Sequence, residues 1–228
     1  MASLQGNVHG HLMVGCSTST GRYILPKLLA RFHNQYPQVR ATCLVTSQAQ
    51  ALQLLEQGKV HIALASETPY CQDIEFCKIA SEQIILCAHP EHPWARQGEI
   101  ELNDLKDAHF ILPEEGSEIH SVVREALAKY GISIYSLNPL ISLGSLEAIA
   151  FSILEGLGVG FVPHLLVERL VQGRVKPVRL RGLEIVMDVY AGRNTRRPAT
   201  AAQNAFWDLV LHTSDSLFPA LQTRQAAG

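Results

Sequence analysis

Short apolar strand patterns alternate with amphipathic helical stripes along nearly the whole chain. That alternation restricts the fold to an α/β architecture with largely parallel strands. Leu12–Cys16 reads as a strand, and Ile24, Leu25, Leu28, Leu29 and Phe32 then repeat at helical spacing. Pro26 falls in the first turns of that stripe, where its missing N–H does least harm. Arg40–Thr46 is a strand, and Ala49, Leu52 and Leu55 mark a helix that stops at Gly58. Val60–Ala65 is apolar with little alternation, as strands buried on both faces are. Ile74–Ile79 and Gln83–Ala88 read as two further strands.

The segment HPEHPWA, His89 to Ala95, then reads as a proline-punctuated turn in which a helix cannot run. A second alternating set follows. His109–Leu112 is a strand, Ile119, Val122, Val123, Ala126, Leu127 and Tyr130 stripe a helix, and Pro139–Ser142 is a strand. Leu146, Ile149, Ala150, Ile153, Leu154 and Leu157 stripe another helix before the strand Gly158–Val162. A short helix, the strands Val175–Leu180 and Ile185–Ala191, and a helix from Thr200 to Ser216 complete the chain. We therefore expect two Rossmann-like lobes. Residues 12–81 and 188–216 form lobe I, residues 82–187 form lobe II, residues 1–11 are a leader or hinge segment, and 217–228 are a tail.

At 228 residues, 47% hydrophobic and 18% charged, the chain can bury a sizeable core. Its net charge of −2 argues against a surface built to grip nucleic-acid phosphates. Arg193, Arg196 and Arg197 form the one basic cluster, and short charge runs of this kind read as solvated turns. No apolar run approaches the roughly 20 residues needed to span a bilayer. The N-terminus lacks the basic-then-apolar layout of a secretory signal, so a cytoplasmic location is expected. The five cysteines, Cys16, Cys43, Cys71, Cys77 and Cys87, contain no C-x-x-C pair and fit a reducing compartment. Redox sensing by Cys71 and Cys77 would require both to be exposed.

Three strand-to-helix junctions share one chemistry: Ser17-Thr18-Ser19-Thr20, then Ser117 after Glu114-Glu115-Gly116, and Ser142-Leu143-Gly144-Ser145. A strand that ends in hydroxyl residues and opens a helix gathers backbone N–H groups, hydroxyls and a helix dipole, the parts of a small-anion site. Each Ser or Thr taken alone is also an ordinary N-cap. Arg22 supplies a positive charge if it turns inward, although charged side chains usually face solvent. Gly156, Gly158 and Gly160 end a helix and open a strand, the reverse of a dinucleotide fingerprint. The chain has no G-x-S-x-G elbow, P-loop or H-E-x-x-H motif, and neither His9/His11 nor His89/His92 has the remaining ligands of a zinc site. Neither enzymatic activity, a metal nor a cofactor is expected.

The pattern resembles the effector-binding domain of LysR-type transcriptional regulators. The matching segments are HGHLMVGCSTSTGRYILPKLLARFHNQYPQV, LLEQGKVHIALAS, HPEHPWA and GSLEAIAFSILEGLGVGFVP, spread over residues 9–212. The resemblance implies a type 2 periplasmic-binding-protein-like fold, two lobes joined by crossover strands with a small effector in the cleft. It implies effector contacts from Ser17, Thr18, Ser19, Thr20, Ser117, Ser142, Gly144 and Ser145, with backbone near Thr46–Gln48, Ser66 and Phe161 lining the rest. It further implies a homodimer or tetramer that meets promoter DNA only through an N-terminal winged helix-turn-helix, expected to be absent from this chain. His61 stands where the family usually has Asp, a departure that touches local packing. A solute-binding protein of a transporter shares the fold but would need a signal peptide or lipid-attachment cysteine. A metabolic enzyme on the same scaffold is the third reading, and it would turn its ligand over where a sensor releases it unchanged.

Overall fold

Strand β1 (Gly10–Cys16) runs directly into Ser17, whose side chain accepts the backbone N–H of Thr20 and starts helix α1 (Thr18–Tyr23). The coordinates are a computed structural model describing residues 8–69 and 72–217. The helical stripe does not continue from α1 unbroken. Ile24 ends one helix, and α2 (Leu25–Gln35) begins anew with Pro26 in its first turn, because proline offers no N–H to the preceding turn. Strand β2 (Val39–Val45), helix α3 (Gln48–Glu56) and strand β3 (Ile62–Ala65) follow. β1 lies between β2 and β3, parallel to both, with Cys16 opposite Val45 and Leu64. Gly15 faces α3, where a Cβ would already touch Ala51 and Val60 at 3.4 Å.

The next strand is one element, not two: β4 runs from Ile74 to Ala88. The polar pair Ser81-Glu82 interrupts the apolar pattern without turning the chain, because both side chains find hydrogen-bond partners. Ser81 Oγ donates to Asp188 Oδ1 at 2.7 Å, and the 4%-exposed Glu82 accepts the Leu165 N–H at 2.8 Å. The expected helix-free turn is also corrected. His92 Nδ1 accepts the Trp94 N–H, Pro93 takes the first helical position, and a short helix α4 (Pro93–Gln97) runs until Gly98 at φ 77°.

The chain divides into two compact units, the first up to Ser81 and again from Asp188, the second Glu82–Met187. After α4 the second unit continues with β5 (Glu99–Ile100), β6 (His109–Pro113), α5 (Glu118–Ala128), β7 (Asn138–Leu143), α6 (Leu146–Leu154) and β8 (Val159–Pro163). Helix α7 (His164–Leu166) passes into a π turn over Val167–Val171, and β9 (Lys176–Leu180) follows. Its strands lie in the order β4-β8-β6-β7, with β9 beside β4 and β5. β6 is parallel to β7 and β8. The register slips by one residue at Phe110/Ile111, where Pro139 stands without an N–H to pair. The glycine run packs as tightly as its helix-to-strand position suggests: a Cβ on Gly158 would lie 2.5 Å from the His109 carbonyl oxygen.

β10 (Ile185–Asn194) and α8 (Ala201–Leu217) return the chain to the first unit. Phe206 meets Phe32 of α2 edge-on at 5.1 Å, and Gln203 Nε2 donates to the His61 carbonyl. The arginine cluster divides: Arg196 and Arg197 lie exposed in a bend, as a solvated turn would have them, whereas Arg193 is half-buried in β10. Arg193 bridges to Glu75 and lies over the Trp207 ring, Arg196 pairs with Asp73, and Arg197 covers Gly58.

His11 belongs to β1 rather than to a leader, and its Nε2 meets Thr42 Oγ1 at 2.8 Å. Next to it, His61 Nδ1 accepts the Met13 N–H at 3.1 Å. Burial, assisted by His11, holds the His61 pKa below its ordinary value. A histidine held neutral in the fold stabilises it above the unfolded-state pKa, and that stability is lost as pH falls and the unfolded chain takes up the extra proton. Stability is therefore expected to decline between pH 7.5 and pH 5. Urea midpoints across that range should flatten in a His61→Asn variant, which keeps an acceptor and cannot titrate. An unchanged slope in the variant would assign the decline to other groups.

Candidate functional site

In the first unit three parallel strands end in Ser17, Thr46 and Ser66: Cys16 is registered with Val45 and Leu64, so Thr46 lies beside Ser17 and Ser66 one residue further along. The hydroxyl run is knitted together. Ser17 Oγ lies 3.1 Å from Ser19 Oγ and 3.0 Å from Thr20 Oγ1, and Thr20 Oγ1 donates to the Ser17 carbonyl. Ser17 and Thr20 are buried, Ser19 is half-buried, and Thr18 and Arg22 are exposed. Thr18 and Ser19 are thus the members of the run open to solvent, and Thr20 holds the turn that presents them. Thr46 N–H donates to the Cys16 carbonyl at 2.9 Å, and Ser47 caps α3. The Gln48 side chain accepts from both the N–H and the hydroxyl of Ser66, fixing that loop against α3.

In the second unit the carboxyl ends of β6 and β7 are joined by the Glu114 N–H, which donates to the Leu143 carbonyl at 3.0 Å. Ser117 caps α5 by accepting from the His120 N–H, and Ser145 caps α6 by accepting from the Ala148 N–H. These local roles follow from the capping preference of serine at a strand-to-helix junction. Ser142 Oγ donates to the Pro113 carbonyl, and Ser145 Oγ donates to Glu147 Oε2 at 2.8 Å. Gly144 is open but hemmed, for a Cβ there would stand 2.7 Å from Glu114 Oε2. Phe161 lies elsewhere. Its side chain is wholly buried in β8 and stacked on Phe110.

Spacing alone did not reveal the acidic character of these second-unit loops. Glu114, Glu115, Glu118 and Glu147 surround the three serines, and the loops 113–118 and 142–147 contain no Lys or Arg. Glu115 accepts from Tyr135 Oη at 2.7 Å, which pushes the tyrosine pKa up. Burial pulls the His120 pKa down, opposed by Glu115 and aided by Arg124. The four glutamates were visible as letters; that Glu114 meets Gly144 beside the Ser145–Glu147 pair depends on the pairing of β6 with β7. The hollow of about 430 Å³ in this unit lies between β4, β9 and His164, and none of the candidate residues lines it.

The cysteines sort by burial. Cys77 is pushed up to about 11 and Cys87 to about 12, both by desolvation, so neither is a thiolate near neutral pH. Cys71 lies outside the described residues. Among the described residues no three His, Cys, Asp or Glu side chains are placed to hold a metal, and no helix is long and apolar enough to cross a membrane.

The LysR substrate binding domain family matches residues 5–215. An uncharacterised HTH-type transcriptional regulator of Methanocaldococcus jannaschii is 28% identical over 211 residues, 92% of this chain and 71% of its own. A probable RuBisCO transcriptional regulator of Porphyra purpurea is 32% identical over 165 residues, 71% of this chain and 51% of its own. The chain thus spans about half to seven-tenths of the length of these relatives. Among solved structures, the effector-binding domain of QuiR in complex with shikimate superposes with a TM-score of 0.80 at 18% identity, covering 92% of this chain and all of that one. The Synechocystis CcmR regulatory domain in complex with 2-PG gives 0.78 at 22% identity, covering 93% of this chain and 99% of that one. The fold is type 2 periplasmic-binding-protein-like, and the chain belongs to the LysR substrate-binding family as an effector-binding domain of LysR-type transcriptional regulators.

Proposed function

We propose that this domain senses a small metabolite through an anionic group held at Ser17–Thr20, and passes its occupancy to a DNA-binding domain of the full-length regulator. The observation that carries this reading is the placement of Ser17, Thr46 and Ser66 at the carboxyl ends of β1, β2 and β3. Ligands of open α/β sheets collect at such ends, where backbone N–H groups face outward. Ser117, Ser142, Gly144 and Ser145 are a second set of contacts. The carboxylates around them narrow the class. With Ser145 already donating to Glu147 and Glu114 against Gly144, that end favours hydrogen-bond donors, hydroxyl or amino groups, over a second carboxylate. The first-unit run thus suits a monocarboxylate or monophosphate group, and the second-unit loops suit hydroxyl or amino groups.

A thermal-shift screen of monocarboxylates and monophosphates against their dicarboxylate counterparts tests the class. A ligand at about 100 times its dissociation constant adds roughly 2.7 kcal/mol to stability. The combined substitution Thr18→Ala and Ser19→Ala, at the open positions of the run, is expected to remove the response and leave the unliganded melting temperature within a few degrees. Responses confined to neutral or purely cationic compounds would refute the anion assignment. A preference for dicarboxylates would refute the role given to Glu114.

A further inference from the structure

Two thiols meet beneath helix α1. Cys16 ends β1 and Cys43 lies in β2, two residues out of register, since Cys43 is opposite Val14 and Cys16 is opposite Val45. Their sulfurs are 3.3 Å apart across the parallel pair, and both are reduced. Cys16 is fully buried and Cys43 is half-buried, so Cys43 is the more accessible of the two residues. The helix rests on this pair: a Cβ on Gly21 would stand 2.9 Å from Cys16 Sγ.

We propose that Cys16 and Cys43 form an oxidisable dithiol, a covalent modification site for hydroperoxides, whose closure displaces α1. In the first step Cys43 Sγ attacks the peroxide, giving a sulfenic acid and releasing water or the alcohol. In the second, Cys16 Sγ attacks the Cys43 sulfur, expels a second water and leaves a disulfide, so the peroxide's two electrons come from the two thiols. A disulfide holds its sulfurs about 2.05 Å apart, so the pair must close by about 1.3 Å. Because the two residues lie diagonally across the strands, that closure draws the end of β1 toward β2 and removes the sulfur on which Gly21 rests. The displaced segment begins at Ser17. The other described cysteines do not compete, as burial keeps Cys77 and Cys87 protonated. This site stands independently of the effector reading, since it needs no ligand.

The test treats the purified protein with equimolar hydrogen peroxide, blocks remaining thiols with N-ethylmaleimide and maps tryptic peptides. The expected product is a disulfide linking peptides 1–22 and 41–59, reversed by dithiothreitol. A Cys43→Ser variant should keep its remaining thiols blockable under the same exposure. Deuterium exchange over Thr18–Tyr23 is expected to rise several-fold on oxidation. The dithiol is overturned if no link joins those peptides, if Cys43 advances to sulfinic acid while Cys16 stays blockable, or if Cys43→Ser loses thiols as fast as the wild type. The displacement of α1 is overturned if the disulfide forms and exchange there does not change.

Discussion

Replacing Phe161 with Ala is expected to destabilise the second unit by about 3–5 kcal/mol, the range for emptying a buried aromatic site. Phe161 is fully buried and stacks on Phe110 with ring centroids 6.0 Å apart, and Phe110 in turn meets Trp94 at 6.4 Å. The three rings run from β8 through β6 to α4, so removing the middle contact of β8 opens a cavity against two elements at once. Strands on both sides hold its backbone in place and prevent collapse around the gap, β4 through Leu86 opposite Phe161 and β6 through Ile111 opposite Gly160. Urea unfolding should show a lower midpoint with an unchanged slope, and Phe161→Leu should lose much less. A near-neutral Phe161→Ala that abolished a ligand-induced thermal shift would instead make the side chain a ligand contact.

That residue marks the limit of what the sequence made legible. Strand and helix periods identified β1, β3, α5 and α6 because each is a local pattern with one buried face. The serine junctions were visible for the same reason, as an N-cap is a contact over three residues. Most of what failed was long-range, and one failure was a cap made by an unusual residue. The continuity of β4 depends on Asp188 accepting from Ser81 and on the Leu165 N–H donating to Glu82, more than 80 residues away in each case. Helix α4 depends on a histidine side chain acting as an N-cap between two prolines. The acidic character of the second-unit loops depends on β6 and β7 lying side by side. Phe161 sits in a motif that identifies the family, and a family motif can mark the core as readily as the ligand.

Replacing Trp207 with Ala should likewise cost about 3–5 kcal/mol, but in the first unit. Trp207 is 1% exposed on α8, with the Arg193 guanidinium 4.4 Å above its ring. Arg193 also pairs with Glu75 of β4, so the indole supports an ion pair that ties β10 to β4. The indole N–H is buried without a hydrogen-bond partner, a standing cost of about 1–3 kcal/mol. Trp207→Phe removes that N–H together with some apolar area, so the two effects oppose and the variant should fall within about 1 kcal/mol of wild type. The chain has two tryptophans, Trp94 in the second unit and Trp207 in the first. Fluorescence of Trp207→Phe therefore reports the second unit and that of Trp94→Phe the first. If both probes lose intensity at one urea midpoint the units unfold together, and Trp207→Ala must lower the Trp94 transition too. If the midpoints separate, Trp207→Ala should leave the Trp94 transition unmoved, and an unshifted far-ultraviolet midpoint in that variant would show that α8 does not anchor the first unit.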